Sequence, residues 1–395
     1  MRDISLGWFC AAALGMVLVA AQVVALRRHL RRRPRRPVRS PPVSILKPLC
    51  GVDDALAANL ANFASLDYPR YEVLLGLASV EDPAWRIACD AARRWPGRFR
   101  VVVQRGTPGL NPKVNQLMTL VRAARHDVLV VSDSNVRVTR GYLAEIAALL
   151  EDDGIGLVTH AIGGVGERTV GAALDNLHLA GTVAPGVVGA KSLARRDIVV
   201  GKSMALRRAD LARLGGFAAV KDVLAEDYVI GVLVATVLGK RVAVAAEPVF
   251  NVSERRTVLQ FLARYQRWAV LQRQAVGPLP YAAMVLLNPV LLGTVALAFQ
   301  PTARAAAVLG AVCAARALLD AAAADALRSG GWTVARLALS PVKELLFGAC
   351  WAYGLVRRDV NWRGKRLVVR RGTRVERPTN LTATAAPPLV TSSSA

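Results

Sequence analysis

Cysteine, histidine and aromatic residues are scarce in this 395-residue chain, and its 28 acidic residues are outnumbered by 52 basic ones. The five cysteines (Cys10, Cys50, Cys89, Cys313, Cys350) are scattered and form no CxxC pair. That spacing excludes a disulfide framework and suits a reducing compartment. His29, His126, His160 and His178 are equally dispersed, so no structural zinc site is in view. A nucleoside-triphosphate loop is also missing. Gly201-Lys202-Ser203 resembles the end of one, but Arg196 stands where its first glycine is required.

What the chain has in quantity is positive charge and apolar side chain. Its net charge is +24 and its hydrophobic fraction is 53%. Eight arginines fall between Arg27 and Arg39, and nine Lys/Arg stand against two acids between Arg357 and Arg377. Both clusters abut long apolar segments. They therefore read as charge facing a cytoplasmic membrane leaflet, not as a nucleic-acid surface. Ile4–Leu26 is uncharged over 23 residues, and a bilayer crossing needs only ~20. Its positive charges follow the apolar run instead of preceding it, unlike those of a cleaved signal peptide. The expectation is a transmembrane signal anchor over 1–26, N-terminus outside, followed by a basic linker over 27–42.

From Val43 short apolar strands alternate with helical periods. Val43–Leu46, Val73–Leu77, Arg100–Val103 and Val128–Val131 read as buried strands, with helices over Ala55–Phe63, Ala84–Trp95, Lys113–Arg122 and Tyr142–Leu150. This alternation predicts an α/β domain with a mostly parallel sheet, whose ligands bind at the carboxyl ends of the strands. Asp82 and Asp133 fall at or near such ends. A less regular part, Gly154–Pro248, contains Asp227. Region 254–278 follows, where Val258–Ala275 mixes aromatic and arginine residues as an amphipathic helix at a membrane surface would.

Three more apolar segments lie in 279–356: Pro280–Phe299, Ala303–Ala324 and Leu337–Val356. Three crossings would leave the basic juxtamembrane region 357–377 outside, against the positive-inside tendency. One of the two charged segments, carrying Arg316 and Asp320 or Lys343 and Glu344, is therefore expected to be re-entrant or interfacial. Residues 378–395 are Thr/Ser/Ala/Pro-rich and expected to be disordered.

Glu226-Asp227 opens an apolar helical run, and Arg264 and Arg267 lie at i and i+3 with Trp268 beside the second. A carboxylate can take a proton from an attacking hydroxyl, and a guanidinium can hold a departing phosphate. Each piece alone has a plainer reading. Glu226-Asp227 could be helix N-terminal charge, Asp82 before Pro83 a helix cap, and Asp133 a turn residue.

Taken in order, Asp82, Asp133, Asp227 and Arg264-x-x-Arg267-Trp268 resemble the aspartate series of family 2-like inverting glycosyltransferases with a GT-A fold. More narrowly the chain resembles the ceramide glucosyltransferase family (family 21-type), with the hopanoid-associated glycosyltransferases as close relatives. The shared pieces include Pro42-Val43-Ser44-Ile45-Leu46-Lys47-Pro48-Leu49, Asn111-Pro112-Lys113-Val114-Asn115, Gly201-Lys202-Ser203-Met204 and Trp362-Arg363-Gly364-Lys365-Arg366. The resemblance spans roughly residues 42–372.

It implies a GT-A domain over 43–253, flanked by one N-terminal and two to three C-terminal membrane helices. It also implies roles. Asp82 would read the uridine, while Lys47, Lys113 and Arg264 would sit with the donor. Asp133 and Asn135, an Asp-Ser-Asn in place of the broader DxD, would hold Mg²⁺ or Mn²⁺. Asp227 would be the general base, Arg267 would face the departing UDP, and Trp268 would shape the acceptor site. The implied reaction moves a hexose from a UDP-sugar, glucose first, to a membrane lipid such as ceramide. Family members using ceramide often carry a histidine where this chain reads Gly181-Thr182-Val183-Ala184-Pro185-Gly186-Val187. A hopanoid acceptor with UDP-N-acetylglucosamine is the rival, followed by a processive polysaccharide synthase and a non-catalytic scaffold. The expected partners are donor, lipid acceptor and bilayer, without nucleic acid. The Ala/Arg/Val bias suggests a bacterial inner-membrane protein with its catalytic domain in the cytoplasm.

Overall fold

The computed structural model describes residues 2–328, 333–362 and 365–377, so the stretch 378–395 lies outside the described residues. Runs of Val, Ile and Leu form β1 (Val43–Pro48), β2 (Tyr71–Leu77), β3 (Phe99–Val103) and β4 (Val128–Ser132). β1 pairs in parallel with β2 and β4, and β2 with β3. Near-continuous apolar sequence is what strands covered on both faces require. The remaining strands are β5 (Val136–Arg137), β6 (Ile155–Val165), β7 (Ser203–Arg207) and β8 (Arg241–Val252), and the sheet order is β3-β2-β1-β4-β7-β6-β8-β5. β7 runs antiparallel to both β4 and β6, whereas β6 and β8 are parallel.

Helices cover both faces: α2 (Leu56–Ala64), α3 (Trp85–Arg94), α4 (Pro112–Ala123) and α5 (Tyr142–Leu150). One face gathers a core around Ile45, Val73, Val130, Phe63 and Ile146, the other around Leu46, Leu74, Val131, Leu117 and Ile230. The segment expected to be less regular, 154–248, is in fact ordered. After β6 it forms α6 (Val170–His178), a π-helical turn (Leu179–Val183) and α7 (Ala184–Leu193). α8 (Arg208–Arg213) and α9 (Glu226–Thr236) follow β7. Period reading fails on β6 because its register to β8 shifts twice and its Gly163 and Gly164 sit against Phe250 and Asn176.

α1 (Arg2–Leu30) runs four residues past the expected anchor boundary at 26. His29 Nε2 meets the Ala245 carbonyl at 2.8 Å, which ties this end to β8 of the sheet. Its Val19, Val23 and Leu26 share a buried cluster with Ala180, Ala184 and Val188, and with Ala323, Ala324 and Leu327 of α13 (Ala303–Arg328). Among the described residues two helices are long and apolar enough to cross a membrane, Ser5–Leu30 and Ala303–Leu327. The uncharged segment departs from the expectation. α11 (Pro278–Ala283) and the turn after it meet α12 (Pro289–Phe299) at 82°. Pro289 has no N–H to continue the helix, the Asn288 side chain accepts from Leu291 N at 3.0 Å, and its amide donates to the Glu344 carbonyl at 2.8 Å. The sharp bend thus falls on the clean segment, not on a charged one.

The charged segments instead pair with each other. Arg316 bonds Asp320 (2.7 Å) and Glu344 (2.9 Å), and Lys343 bonds Asp320 (2.8 Å) and Glu344 (2.7 Å). Two cations and two anions close a neutral cluster between α13 and α15 (Ser340–Val356). After the short α14 (Val334–Leu337), α15 packs on α10 (Val258–Val276), which a Thr257/Gln260 capping box starts. α10 is buried along Phe261, Arg264, Tyr265, Ala269 and Val270. It is wedged against α6 and α15, so its apolar stripe faces protein. Region 357–377 adds an unexpected antiparallel sheet, β9 (Asp359–Trp362), β10 (Lys365–Val369) and β11 (Val375–Glu376).

Candidate active site

Three adjacent parallel strands, β2, β1 and β4, end on one edge, and the residues that follow them are Asp82, Asp53 and Asp133. β7 is antiparallel to β4 with Ser203 opposite Ser132, so Gly201 and Lys202 enter the sheet at the same edge. α4 aims its first turn there, with Asn111 as N-cap, Pro112 at the first position and Lys113 next. α9 begins with Glu226 and Asp227. The site is therefore a ring of strand ends and two helix N-termini.

Lys113 holds the ring together. Its Nζ lies 2.9 Å from Asp133 Oδ1 and 2.9 Å from Glu226 Oε1, and donates to the Gly201 carbonyl at 3.2 Å. Burial alone would lower its pKa, but Asp133, Glu226 and Asp227 outweigh burial and raise it. Asp133 is the counterpart. Burial would raise its pKa, yet Lys113 and Lys202 hold its carboxyl well below the usual range. Lys202 Nζ sits 3.1 Å from Asp133 Oδ2 and 2.8 Å from Asn135 Oδ1.

Asp227 lies beside this pair and is partly exposed. Its Oδ2 accepts from Gly201 N, and its Oδ1 from Tyr228 N at 2.8 Å. Burial first, and then the Glu226 carboxylate, push its pKa up to about 6. A carboxylate of that basicity is still ionised at neutral pH and takes a proton more readily than an ordinary aspartate. Gly201 has a steric reason for being glycine, since a Cβ there would lie 2.8 Å from Asp227 Oδ2.

Other expected site residues are placed differently. Lys47 is fully buried, donating to Ser132 Oγ (3.1 Å) and the Asp133 carbonyl (2.8 Å) above the Phe63 ring. Burial lowers its pKa to about 7. It staples the end of β1 to the end of β4. Asp82 Oδ1 accepts from Gly51 N and Ala84 N, both at 2.9 Å, so it closes the turn into α3 and fixes the loop after β1. Arg264 is committed to Asp175, with contacts of 3.0 and 3.2 Å, and stacks 5.0 Å from the Trp268 ring. Its guanidinium therefore anchors α10 to α6 and supports Trp268, where the sequence had placed it at the donor. Arg256 (3.2 Å) and the Tyr265 hydroxyl (2.8 Å) complete the shell of Asp175. Burial would raise the Asp175 pKa, but Arg264 and Arg256 more than reverse it. Arg267 and Trp268 are half-buried on α10. Burial lowers the Lys202 pKa, with Asp133 opposing it and Arg264 adding to it, so this helix and the aspartate ring are electrostatic neighbours.

Asp133 and Asn135 do not fit the divalent cation expected there. Mg²⁺ and Mn²⁺ need several unencumbered oxygens. Here both carboxylate oxygens of Asp133 and the Asn135 amide oxygen already face ammonium groups. No group of three or more His, Cys, Asp or Glu placed to hold a metal occurs among the described residues.

Sequence reasoning gave no role to Lys202, Asp175 or Thr373. The signal for Lys202 was in the sequence, inside the rejected Gly201-Lys202-Ser203. Thr373 and its neighbours carry no such signal. The Thr373 carbonyl accepts from Leu224 N at 3.0 Å, and Val375 N donates to the Asp222 carbonyl at 2.8 Å, so the tail sheet pins the loop entering α9.

Residues 7–375 match the sequence profile of glycosyl transferase family 21, and the chain belongs to that family. The sheet flanked by helices bears out the α/β class expected from the sequence. The chain is 28% identical over 247 residues to ceramide glucosyltransferase 3 of Caenorhabditis elegans, covering 62% of this chain and 53% of that one. The ceramide glucosyltransferase of Komagataella phaffii is 31% identical over 107 residues, 26% of this chain and 21% of its own. The chain spans about half the length of the nematode relatives it matches. Among solved structures it is similar to the mannosyltransferase PcManGT from Pyrobaculum calidifontis in complex with GDP-Man and Mn²⁺. The TM-score is 0.48 at 21% identity, over 87% of this chain and 99% of that one.

Proposed function

We propose that this protein is an inverting hexosyltransferase that moves a hexose from a UDP-sugar, glucose first, to a hydroxyl of a ceramide-type lipid. One observation carries the reading. Asp227 is held by two backbone N–H groups, with its pKa pushed up to about 6 by burial and Glu226, beside a cationic strand edge. In this reading the acceptor hydroxyl gives its proton to Asp227, and its oxygen bonds to the anomeric carbon. The bond from that carbon to the diphosphate breaks from the opposite face, and UDP leaves with the bonding pair. Lys113 and Arg267 offset the charge on the leaving group, and Trp268 borders the acceptor. The lipid reaches the site where α10 meets α15 and the membrane helices. The basic run Arg27–Arg39 argues for a cytoplasmic catalytic domain, in a bacterial inner membrane.

The test is transfer of labelled sugar in detergent micelles, with UDP-glucose and UDP-N-acetylglucosamine each offered ceramide and a polyol hopanoid. Product from UDP-glucose and ceramide, with β configuration by NMR and lost in Asp227→Asn, is the expected result. Product only with the hopanoid would replace the acceptor, and a ladder of products would mean a processive enzyme. Equal activity in Asp227→Asn would remove the assigned base.

A further inference from the structure

The position between Asp133 and Asn135 is occupied by the chain's own cation. Lys202 Nζ stands 3.1 Å from Asp133 Oδ2 and 2.8 Å from Asn135 Oδ1, bridging the two oxygens assigned to a metal. Its backbone is fixed as well. Lys202 directly precedes β7, and its carbonyl accepts from Asp133 N at 3.4 Å. The side chain keeps only 13% of its surface exposed. A divalent ion entering here would meet two ammonium groups, Lys202 and Lys113, about 3 Å from the carboxylate it needs. At such separations like charges in a partly buried site repel strongly. We propose that Lys202 takes the place of the divalent cation and holds the nucleoside diphosphate, so that the donor binds without metal.

The hydrogen-bond inventory selects Lys202 over Lys113. An ammonium has three N–H donors. Lys113 directs its three at Asp133, Glu226 and the Gly201 carbonyl. Lys202 directs two, at Asp133 and Asn135, and keeps one for a phosphate oxygen. Asn135 fits the same logic. Its neutral amide orients Lys202 without adding a second carboxylate that would attract a metal ion, and its Nδ2 is anchored on Asn251 Oδ1 at 3.2 Å. Fixed positive charge facing a departing diphosphate stabilises it in the way a bound cation does elsewhere.

The inference rests on the nucleoside-diphosphate donor of the proposed function, and calorimetric titration of UDP into the detergent-solubilised full chain separates the two. Titrations are run in EDTA and in 5 mM-scale Mn²⁺, with the Mn²⁺ electron-spin-resonance signal followed in parallel. The wild type is expected to bind UDP within about threefold in the two conditions, with the Mn²⁺ signal unchanged by protein. Lys202→Met is expected to lose at least tenfold in EDTA, and Lys202→Arg to retain most of the affinity. Wild-type binding that falls tenfold or more in EDTA and returns with Mn²⁺ would overturn the inference and leave the donor reading standing. Wild-type binding in neither condition would overturn both. Should Lys202→Met melt well below the wild type, the wild-type chelator arm and Lys202→Arg decide alone.

Discussion

Asp227→Asn separates the base's chemistry from its cost to the fold. Raising the Asp227 pKa from 3.8 to about 6 corresponds to about 3 kcal/mol between its two protonation states. Because the folded pKa lies above the unfolded one, the folded chain binds the extra proton. The stabilisation is complete below pH ~3.8 and is lost as pH rises through about 6. At pH 7.5 the ionised carboxylate is therefore a burden, and partial exposure reduces it to about 2 kcal/mol. Asparagine keeps an oxygen for one of the Gly201 and Tyr228 N–H groups but turns an N–H toward the other, which a protonated acid would still satisfy through its hydroxyl oxygen; that lost bond costs about 1–3 kcal/mol at every pH. Relative to wild type the variant should therefore gain about 1 kcal/mol as pH rises from 4.5 to 7.5. In a melt followed by tryptophan fluorescence, the difference between the two proteins should move in the variant's favour by a few degrees over that range. Transfer should fall by about 10²–10⁴. A difference independent of pH, or one that moves in favour of wild type as pH rises, would refute the reasoning.

Three further changes probe the surroundings. Gly181→Ala places a Cβ 1.9 Å from Asp320 Oδ1, and should destabilise the chain by about 2–3 kcal/mol in a detergent melt; an unchanged melt would mean that the buried cluster tolerates it. Asp175→Asn leaves Arg264 and Arg256 without their carboxylate, and should destabilise by about 3 kcal/mol while raising the KM for lipid more than that for UDP-sugar. Equal effects on both KM values would count against a role on the acceptor side. Ending the chain at Val356 removes the bonds from Thr373 and Val375 to the loop before Asp227, and should cut transfer at least tenfold while UDP binding is retained. Full activity would mean that α9 positions Asp227 unaided.

The sequence carried the first half of the domain well, because β1 to β4 and α2 to α5 are short, strongly apolar and separated by clear turns. Asp133, Asp227 and Lys113, singled out in the sequence, converge at one sheet edge. The sequence failed where an interaction partner lies far along the chain. Nothing local tells that Lys202 meets Asn135, or that Arg264 meets Asp175 across 89 positions. Charges also misled when read one at a time. Arg316, Asp320, Lys343 and Glu344 looked like obstacles to membrane helices, yet they neutralise one another, while the uncharged segment bends at Asn288-Pro289. The basic run from Arg357 read only as charge facing a membrane leaflet. Its alternating Val360, Leu367, Val369 and Val375 bury against Leu224 and Val270, a period-two pattern obscured by the arginines between them.

These long-range contacts explain why the membrane block and the catalytic sheet form one body. The turn of the chain preceding α7 is π-helical, a geometry that concentrates at functional sites. Its Gly181 carbonyl and Thr182 Oγ1 each accept from Arg316 at 3.0 Å. Arg316 is in turn fixed by Asp320 and Glu344, so the membrane helices set the height of this turn. On its other side, Asp175 and Arg264 set the angle of α10 and with it Trp268. Under the proposed transfer to a lipid, such coupling has a purpose. The acceptor hydroxyl would lie at a fixed depth relative to the bilayer, and a displacement of even 1 Å between it and Asp227 would cost most of the rate. Embedding this turn in a neutral ionic cluster between α13 and α15 would hold that depth without leaving an unpaired charge among apolar side chains.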